Sequence, residues 1–310
     1  MVDLDLHVQL APSHSRGLLL ANPVMTAAGT FGYGIEYSQI VDIQRLGAIV
    51  CKGTTLKPIN GNSQPRLVET ASGLLNSVGL QNVGVEAVVK DKSPVWAQWQ
   101  VPVIINVAGE TVDEYAEVAV KLEGVAGISG IEVNVSCPNV ASGGMEFGTN
   151  IKTAAEVTAA VKAVSSLPII VKLSPNVTDI GDIASAVSEA GADAITLINT
   201  VRGMAIDVHK SKPSLGNVIG GLSGPAIKPI ALYMTYRVAS IVDVPVIGCG
   251  GINCADDALE FIMAGASAVQ VGTASLANPQ AALNILDGIE QYMAVKEIRD
   301  LKEIIGIATA

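Results

Sequence analysis

The chain has 310 residues, of which 49% are hydrophobic, 15% charged and 4% aromatic, and its net charge is −10. A chain this apolar has material for a large core and is not disordered. An acidic surface repels nucleic acid, but it leaves room for one phosphate held by local backbone donors. With so few aromatics, Ala, Val, Ile and Leu must fill the core, and small branched residues suit parallel strands.

The first residues carry Asp3 and Asp5, with no basic stretch ahead of an apolar run, so no signal peptide is expected. No apolar run is long enough to span a bilayer, and the expected location is the cytoplasm. His7–Leu20 is expected to form a short hairpin closing the bottom of the fold. From there one pattern repeats: a continuous apolar run, a cluster of Gly, Asn, Lys, Ser or Thr, then an amphipathic stretch. The apolar runs predict strands at Asn22–Ala28, Ala48–Lys52, Val101–Val107, Gly130–Ser136, Pro168–Leu173, Ala194–Asn199, Pro245–Cys249 and Ala268–Val271. Helices are expected between them, among them Val112–Glu123, Lys152–Ser165, Ile180–Ala190, Ile227–Val242 and Asp256–Ala264. Strand–helix alternation implies parallel strands with right-handed crossovers, and eight such units close most naturally into a (β/α)8 TIM barrel. An open doubly wound sheet is the alternative. Arg202–Ser223 is expected to be a long functional loop. No linker or low-complexity tract interrupts the chain, so one domain over 1–310 is expected.

In such a barrel the chemistry gathers at the C-terminal ends of the strands. There the sequence places Lys52, Asn106, Asn134, Cys137, Lys172, Asn199 and Thr200, followed by Gly250-Gly251 and Gly272-Thr273. Each has an ordinary reading beside a functional one. A lysine at a strand end often snorkels to water. Lys52 and Lys172, however, follow apolar runs, and an ammonium buried there needs an anionic ligand or a carboxylate neighbour. Asparagines may simply bond turn backbone. The glycines serve either as tight turns or as bare backbone closing on phosphate oxygens, a role common after the last two strands of these barrels. Of the four cysteines, Cys51, Cys249 and Cys254 are expected to be inert buried fillers. None of the four shows zinc or iron–sulfur spacing, and no metal site is expected. Cys137 sits apart, between Ser136 and Pro138, with a Gly-rich stretch, Asn139–Thr149, expected to act as a lid.

The segments CKGTT, NSVGLQN, NVSCPN, NTVRGMAID, GGLSGPAIKP and CGGI, in this order within a stretch from about Asn22 to Thr273, resemble dihydroorotate dehydrogenase of class 1. NVASGGMEFGT and the GMAID…GGLSGPAIKP stretch look most like class 1B. Class 2 members carry Ser in place of the base and an N-terminal extension that is not expected here. The resemblance implies FMN as cofactor, oxidation of dihydroorotate to orotate in pyrimidine biosynthesis, and Cys137 as the base. Lys52 would serve flavin and substrate. Gly53 (through its backbone rather than Thr54), Asn106, Asn134, Lys172, Ile198, Gly224, Gly250, Gly251, Gly272 and Thr273 would line FMN. Asn76, Ser77, Val78, Gly79, Leu80, Asn134, Asn199 and Thr200 would hold the substrate. Ala28 stands where Ser is common in the family, which keeps a backbone contact to FMN and loses a hydroxyl one. Class 1B also implies a partner subunit carrying FAD and a 2Fe–2S cluster, linked to NAD, in a heterotetramer of two catalytic and two electron-transfer chains. The competing readings are a flavin barrel acting on dihydropyrimidines that lack a carboxylate, a non-redox lyase forming a Schiff base at Lys172 or Lys52, and a non-catalytic binding barrel, which would leave the ring of polar residues unexplained.

Overall fold

A computed structural model describes residues 4–136, 138–139 and 145–309. Its centre is an eight-stranded parallel sheet. The strands are β1 (Val24–Thr26), β2 (Ile49–Val50), β3 (Val103–Val107), β4 (Gly130–Asn134), β5 (Ile169–Lys172), β6 (Ala194–Leu197), β7 (Val246–Cys249) and β8 (Ala266–Val271). β8 pairs with β1, and a parallel bridge from Met25 to Ala48 joins β1 to β2, so the sheet closes on itself. The fold is a (β/α)8 TIM barrel. All but a few residues of these strands are buried, as continuous Val/Ile runs require when one face packs inward and the other meets helices.

All but one of the strands are shorter than the apolar runs; β8 is longer and begins at Ala266 rather than Ala268. β1 begins at Val24 rather than Asn22, and β2 ends at Val50, so Lys52 lies two residues past its strand. The helices start where polar side chains can cap them. Thr111, Asn150 and Asp179 accept hydrogen bonds from the first-turn amides of Val112–Leu122, Ile151–Val164 and Ile180–Glu189. At the bottom, Val8–Gln9 and Leu19–Leu20 form the expected antiparallel hairpin. A Cβ at Gly130, the first residue of β4, would lie 3.6 Å from Leu18, which places the hairpin against the N-terminal ends of the strands.

Two regions depart from the sequence reading. Arg202–Ser223 is not an irregular loop. Val201–Gly203 and Gly220–Ser223 join a hairpin, Leu67–Thr70 with Gly73–Asn76, in a four-stranded antiparallel sheet, and Ile206–Asp207 pairs with Lys212–Pro213. The glycines that suggested a loop serve close packing instead. A Cβ at Gly221 would meet Thr200 Oγ1 at 2.0 Å, and one at Gly73 would meet the Ser223 carbonyl oxygen at 2.0 Å. The second departure is Cys254, expected to be buried but exposed at the start of helix Ala255–Met263. Among the described residues, no helix is long and apolar enough to cross a membrane.

Candidate active site

The inserted sheet stands over the C-terminal ends of the strands and encloses a cavity of ≈ 710 Å³, within the size range of small-molecule sites. Every site residue named from sequence lines this cavity, apart from Cys137, which lies outside the described residues. Of the expected lid, Pro138–Asn139 pairs antiparallel with Met145–Glu146 at the cavity rim, and residues 140–144 lie outside the description.

One side of the cavity is backbone. Gly250 and Gly251 follow β7 with φ of +136° and +77°, values that favour glycine. Gly251 lies against the start of helix Lys228–Ala239, where a Cβ would meet Lys228 backbone nitrogen at 2.8 Å. The N–H groups of Gly251 and Gly272 bond to no other described residue, so they remain free to donate into the cavity. Thr273 Oγ1 donates to Ser223 Oγ at 2.8 Å and ties the loop after β8 to the inserted sheet. Free backbone donors of this kind, with room for close approach, fit a phosphate. Gly224 and Ala28 complete this wall.

The floor is charged. Lys172 is 5% exposed, and its Nζ donates to Gln270 Oε1 at 2.9 Å and lies 3.9 Å from the Glu132 carboxylate. Burial alone would lower its pKa, but the neighbouring Cys249 and Glu132 outweigh it and hold the amine protonated. Cys249 is buried as expected, but it is no mere filler, because it lines the cavity beside Lys172, and burial pushes its thiol upward. A lysine held protonated is a poor amine nucleophile, which goes against a Schiff base at Lys172.

Elsewhere the lining offers side-chain amides. Asn199 Nδ2 donates to Asn134 Oδ1 at 3.0 Å, and that oxygen also accepts from Ser136 N. The Asn134 Nδ2 therefore remains a donor, with no partner among the described residues. Asn199 Oδ1 accepts from Thr200 N at 2.8 Å. Asn76 is fixed by donating to Gly221 O, and Ser77 by bonds to Arg66 O and Asn62. Lys52 is half-buried in the cavity lining. Burial lowers its pKa, Arg66 adds to the effect and Glu36 opposes it. An anionic ligand would favour its charged form.

Sequence reasoning missed several residues here. Glu146 accepts from Ser174 Oγ at 2.6 Å and from Arg202 Nη2 at 2.9 Å, joining the rim ribbon to the segments after β5 and β6. Nothing in the linear pattern marked it. Glu132, Thr196 and Gln270 lie fully buried beneath the floor. Their signal was available: each is a polar residue inside an otherwise apolar strand.

Comparison with known proteins accounts for this arrangement. The model of the dihydroorotate dehydrogenase family matches residues 12–293. The chain belongs to the dihydroorotate dehydrogenase family. It is 57% identical over 293 residues to a protein of Alkaliphilus oremlandii, covering 94% of this chain and 97% of that one. It is 56% identical over 289 residues to one of Desulforamulus reducens, covering 93% and 95%. With one of Geotalea daltonii it shares 53% over 306 residues, 99% of each chain. All three carry the name dihydroorotate dehydrogenase B (NAD(+)), catalytic subunit. The match extends past both ends of the Asn22–Thr273 stretch that carries the motifs, and the likeness is to class 1B.

Proposed function

We propose that this chain oxidises (S)-dihydroorotate to orotate in pyrimidine biosynthesis with bound FMN, and that the electrons pass to NAD through a partner subunit. The observation that carries this reading is one cavity with free backbone donors on one side, a buried ammonium in its floor and amides elsewhere in its lining. FMN, when bound, supplies the hydride acceptor. Gly251, Gly272 and Thr273, with Gly224 and Gly250, hold its phosphate. Ala28, Gly53, Asn106, Asn134 and Ile198 flank its ring. Lys172 keeps a fixed positive charge where negative charge develops on hydride transfer.

The substrate side uses the remaining groups. A dihydropyrimidine edge alternates N–H and C=O, and Asn76, Asn134, Asn199 and Thr200 supply acceptors and donors to match. Lys52, with the backbone of Ser77–Leu80, takes the carboxylate, which separates this substrate from a dihydropyrimidine lacking one. Cys137 removes the C5 proton. A thiol of ordinary pKa, about 8.5, does so best at mildly alkaline pH.

The partner reading rests on the relatives' names and on the surface. Leu67, Ile219 and Leu276 on the cavity wall, with Met204, Ile206 and Val218 on the inserted ribbons, are each at least 46% exposed. We assign FAD and a 2Fe–2S cluster to that partner, in an assembly of two chains of each kind, and place the whole in the cytoplasm. Rapid reduction of NAD by the isolated chain would remove the need for a partner.

The visible spectrum of the purified protein, before and after anaerobic dihydroorotate, tests the reaction. A flavin band that bleaches is expected. A flavin band unchanged by dihydroorotate but bleached by dihydrouracil would move the substrate to another pyrimidine. A colourless protein that takes up no FMN would overturn the flavin reading itself.

A further inference from the structure

Beneath the cavity lies a carboxylate that the reaction does not use. Glu132 is 0% exposed, on the inward face of β4. Its Oε1 accepts from Asn106 Nδ2 at 2.7 Å and its Oε2 from Thr196 Oγ1 at 3.0 Å, while Gln270 Nε2 donates to the same Oε2. The residues fall into two levels. Glu132, Thr196 and Gln270 come from β4, β6 and β8. Asn106, Lys172 and Cys249 come from β3, β5 and β7 and line the cavity. Alternate strands fill alternate layers in a TIM barrel, and branched apolar side chains usually occupy them. Here one layer is polar, and a buried carboxylate is costly unless its partners are arranged around it.

The arrangement has a direction. A carboxylate only accepts hydrogen bonds, so the NH2 groups of Asn106 and Gln270 must both point down at Glu132. Each amide then has its oxygen left for the level above. Gln270 Oε1 receives the Lys172 ammonium. Asn106 Oδ1 lies on the Gly53 side, where a Cβ on Gly53 would sit 3.2 Å from it. An amide at position 132 would remove this one-way instruction, because its own NH2 would face one of the two NH2 groups.

We propose that Glu132, with Thr196 and Gln270, is a positioning layer that fixes what the floor presents to the cofactor: a carbonyl oxygen from Asn106, to meet a ring N–H, and a protonated amine from Lys172. This rests on the reading of the cavity as an FMN site. None of the three layer residues lines the cavity, so each acts only through Asn106 or Lys172.

The test uses the full chain with FMN and two variants, Glu132→Gln and the exchange Glu132→Gln with Gln270→Glu. The exchange returns one carboxylate and one amide to the layer and lets the carboxylate meet Lys172 directly. FMN affinity is read from flavin fluorescence and folding from thermal melting. Glu132→Gln is expected to weaken FMN by about tenfold or more, from one donor or acceptor left unpaired, and the exchange to recover most of that loss. A role confined to packing predicts no such recovery. Folded Glu132→Gln protein that holds FMN as the original does would overturn the proposal, as would a folded exchange variant no better than the single one. If only the exchange folds, original affinity supports the layer and lost affinity overturns it. If neither folds, the layer serves barrel stability and the proposal falls. Original protein that takes up no FMN would instead overturn the flavin reading on which the layer rests.

Discussion

The wall formed by Gly224, Gly250-Gly251 and Gly272-Thr273 presents main chain, whereas the wall formed by Asn76–Leu80, Asn134 and Asn199–Thr200 presents side-chain amides. The first is set by backbone conformation and by packing on the start of helix Lys228–Ala239. The second is set by hydrogen bonds within the inserted sheet, at Asn76, and among the strand-end residues Asn134, Asn199 and Thr200. A main-chain site recognises any phosphate that can approach, so it favours retention over discrimination. Amides in fixed orientation recognise one pattern of donors and acceptors, so they discriminate. Damage on the two sides should therefore read out differently, as lost cofactor on one and lost turnover on the other.

Cys137→Ala should break that comparison most visibly. It is expected to leave bound flavin in place and to lower turnover at neutral pH by about a hundredfold or more, the usual contribution of a positioned base. Steady-state rates beside the flavin absorbance check both halves. Unchanged turnover would remove Cys137 as the base.

The converse change is Gly251→Val. A side chain there must adopt a φ of +77° and enter the space of Lys228, whose backbone nitrogen would lie 2.8 Å from the new Cβ. Strain and overpacking together cost about 2–4 kcal/mol, so FMN should bind about thirtyfold or more weakly, while added FMN should restore turnover. Equilibrium dialysis of FMN measures it. If turnover stays low with FMN saturating, the two sides are not separable as described.

These contrasts were unequally legible in the sequence. The barrel was plain because strands packed on both faces leave long Val/Ile runs. The glycine-bearing wall was visible because Gly250-Gly251 and Gly272-Thr273 follow the last two runs. The inserted sheet was hidden. Leu67–Thr70 and Gly73–Asn76 are short and partly exposed, and their partner strand Gly220–Ser223 lies far along the chain, so no local pattern announces the pairing. Gly221 looked like a loop glycine, yet it is there for contact with Thr200, a requirement that only three dimensions reveal. Glu132 was legible in principle. Two residues before Asn134 on one strand, it must face the same side, and a carboxylate facing into a barrel calls for partners.

Lys52 lines the same cavity and sharpens the difference through pH. Its pKa is lowered by burial and by Arg66, so the empty cavity disfavours its charge. In the proposed site the carboxylate of orotate pairs with that charge. Orotate affinity should therefore fall as pH rises through the lowered pKa, below the ordinary lysine value of about 10.4. In Lys52→Met the alkaline fall should vanish and affinity at neutral pH drop by about tenfold, the worth of a charged hydrogen bond. Quenching of flavin fluorescence by orotate across pH follows it. The folding sign is opposite. A depressed lysine pKa costs the empty protein stability at neutral pH, and that cost is relieved as pH climbs past the folded pKa toward the unfolded one.

The smallest effect lies behind the glycine wall. Asp257 accepts from Asn253 N at 2.9 Å and Cys254 N at 3.1 Å, capping helix Ala255–Met263, and from Lys228 Nζ at 2.7 Å, bracing the residue on which Gly251 packs. Burial would raise its pKa, but Lys228 and the backbone donors win and hold it below the usual carboxylate value. For a depressed acid, the stabilising contribution is present above the unfolded pKa of about 3.9 and is lost as pH falls through the folded one. Asp257→Asn should then cost about 1 kcal/mol at pH 7, and the gap between variant and original should close in acid below the ordinary Asp range. Urea unfolding at the two pH values measures it. A gap that stays constant would mean that the cap's geometry, rather than the carboxylate charge, steadies this wall, and that its rigidity owes nothing to the ion pair with Lys228.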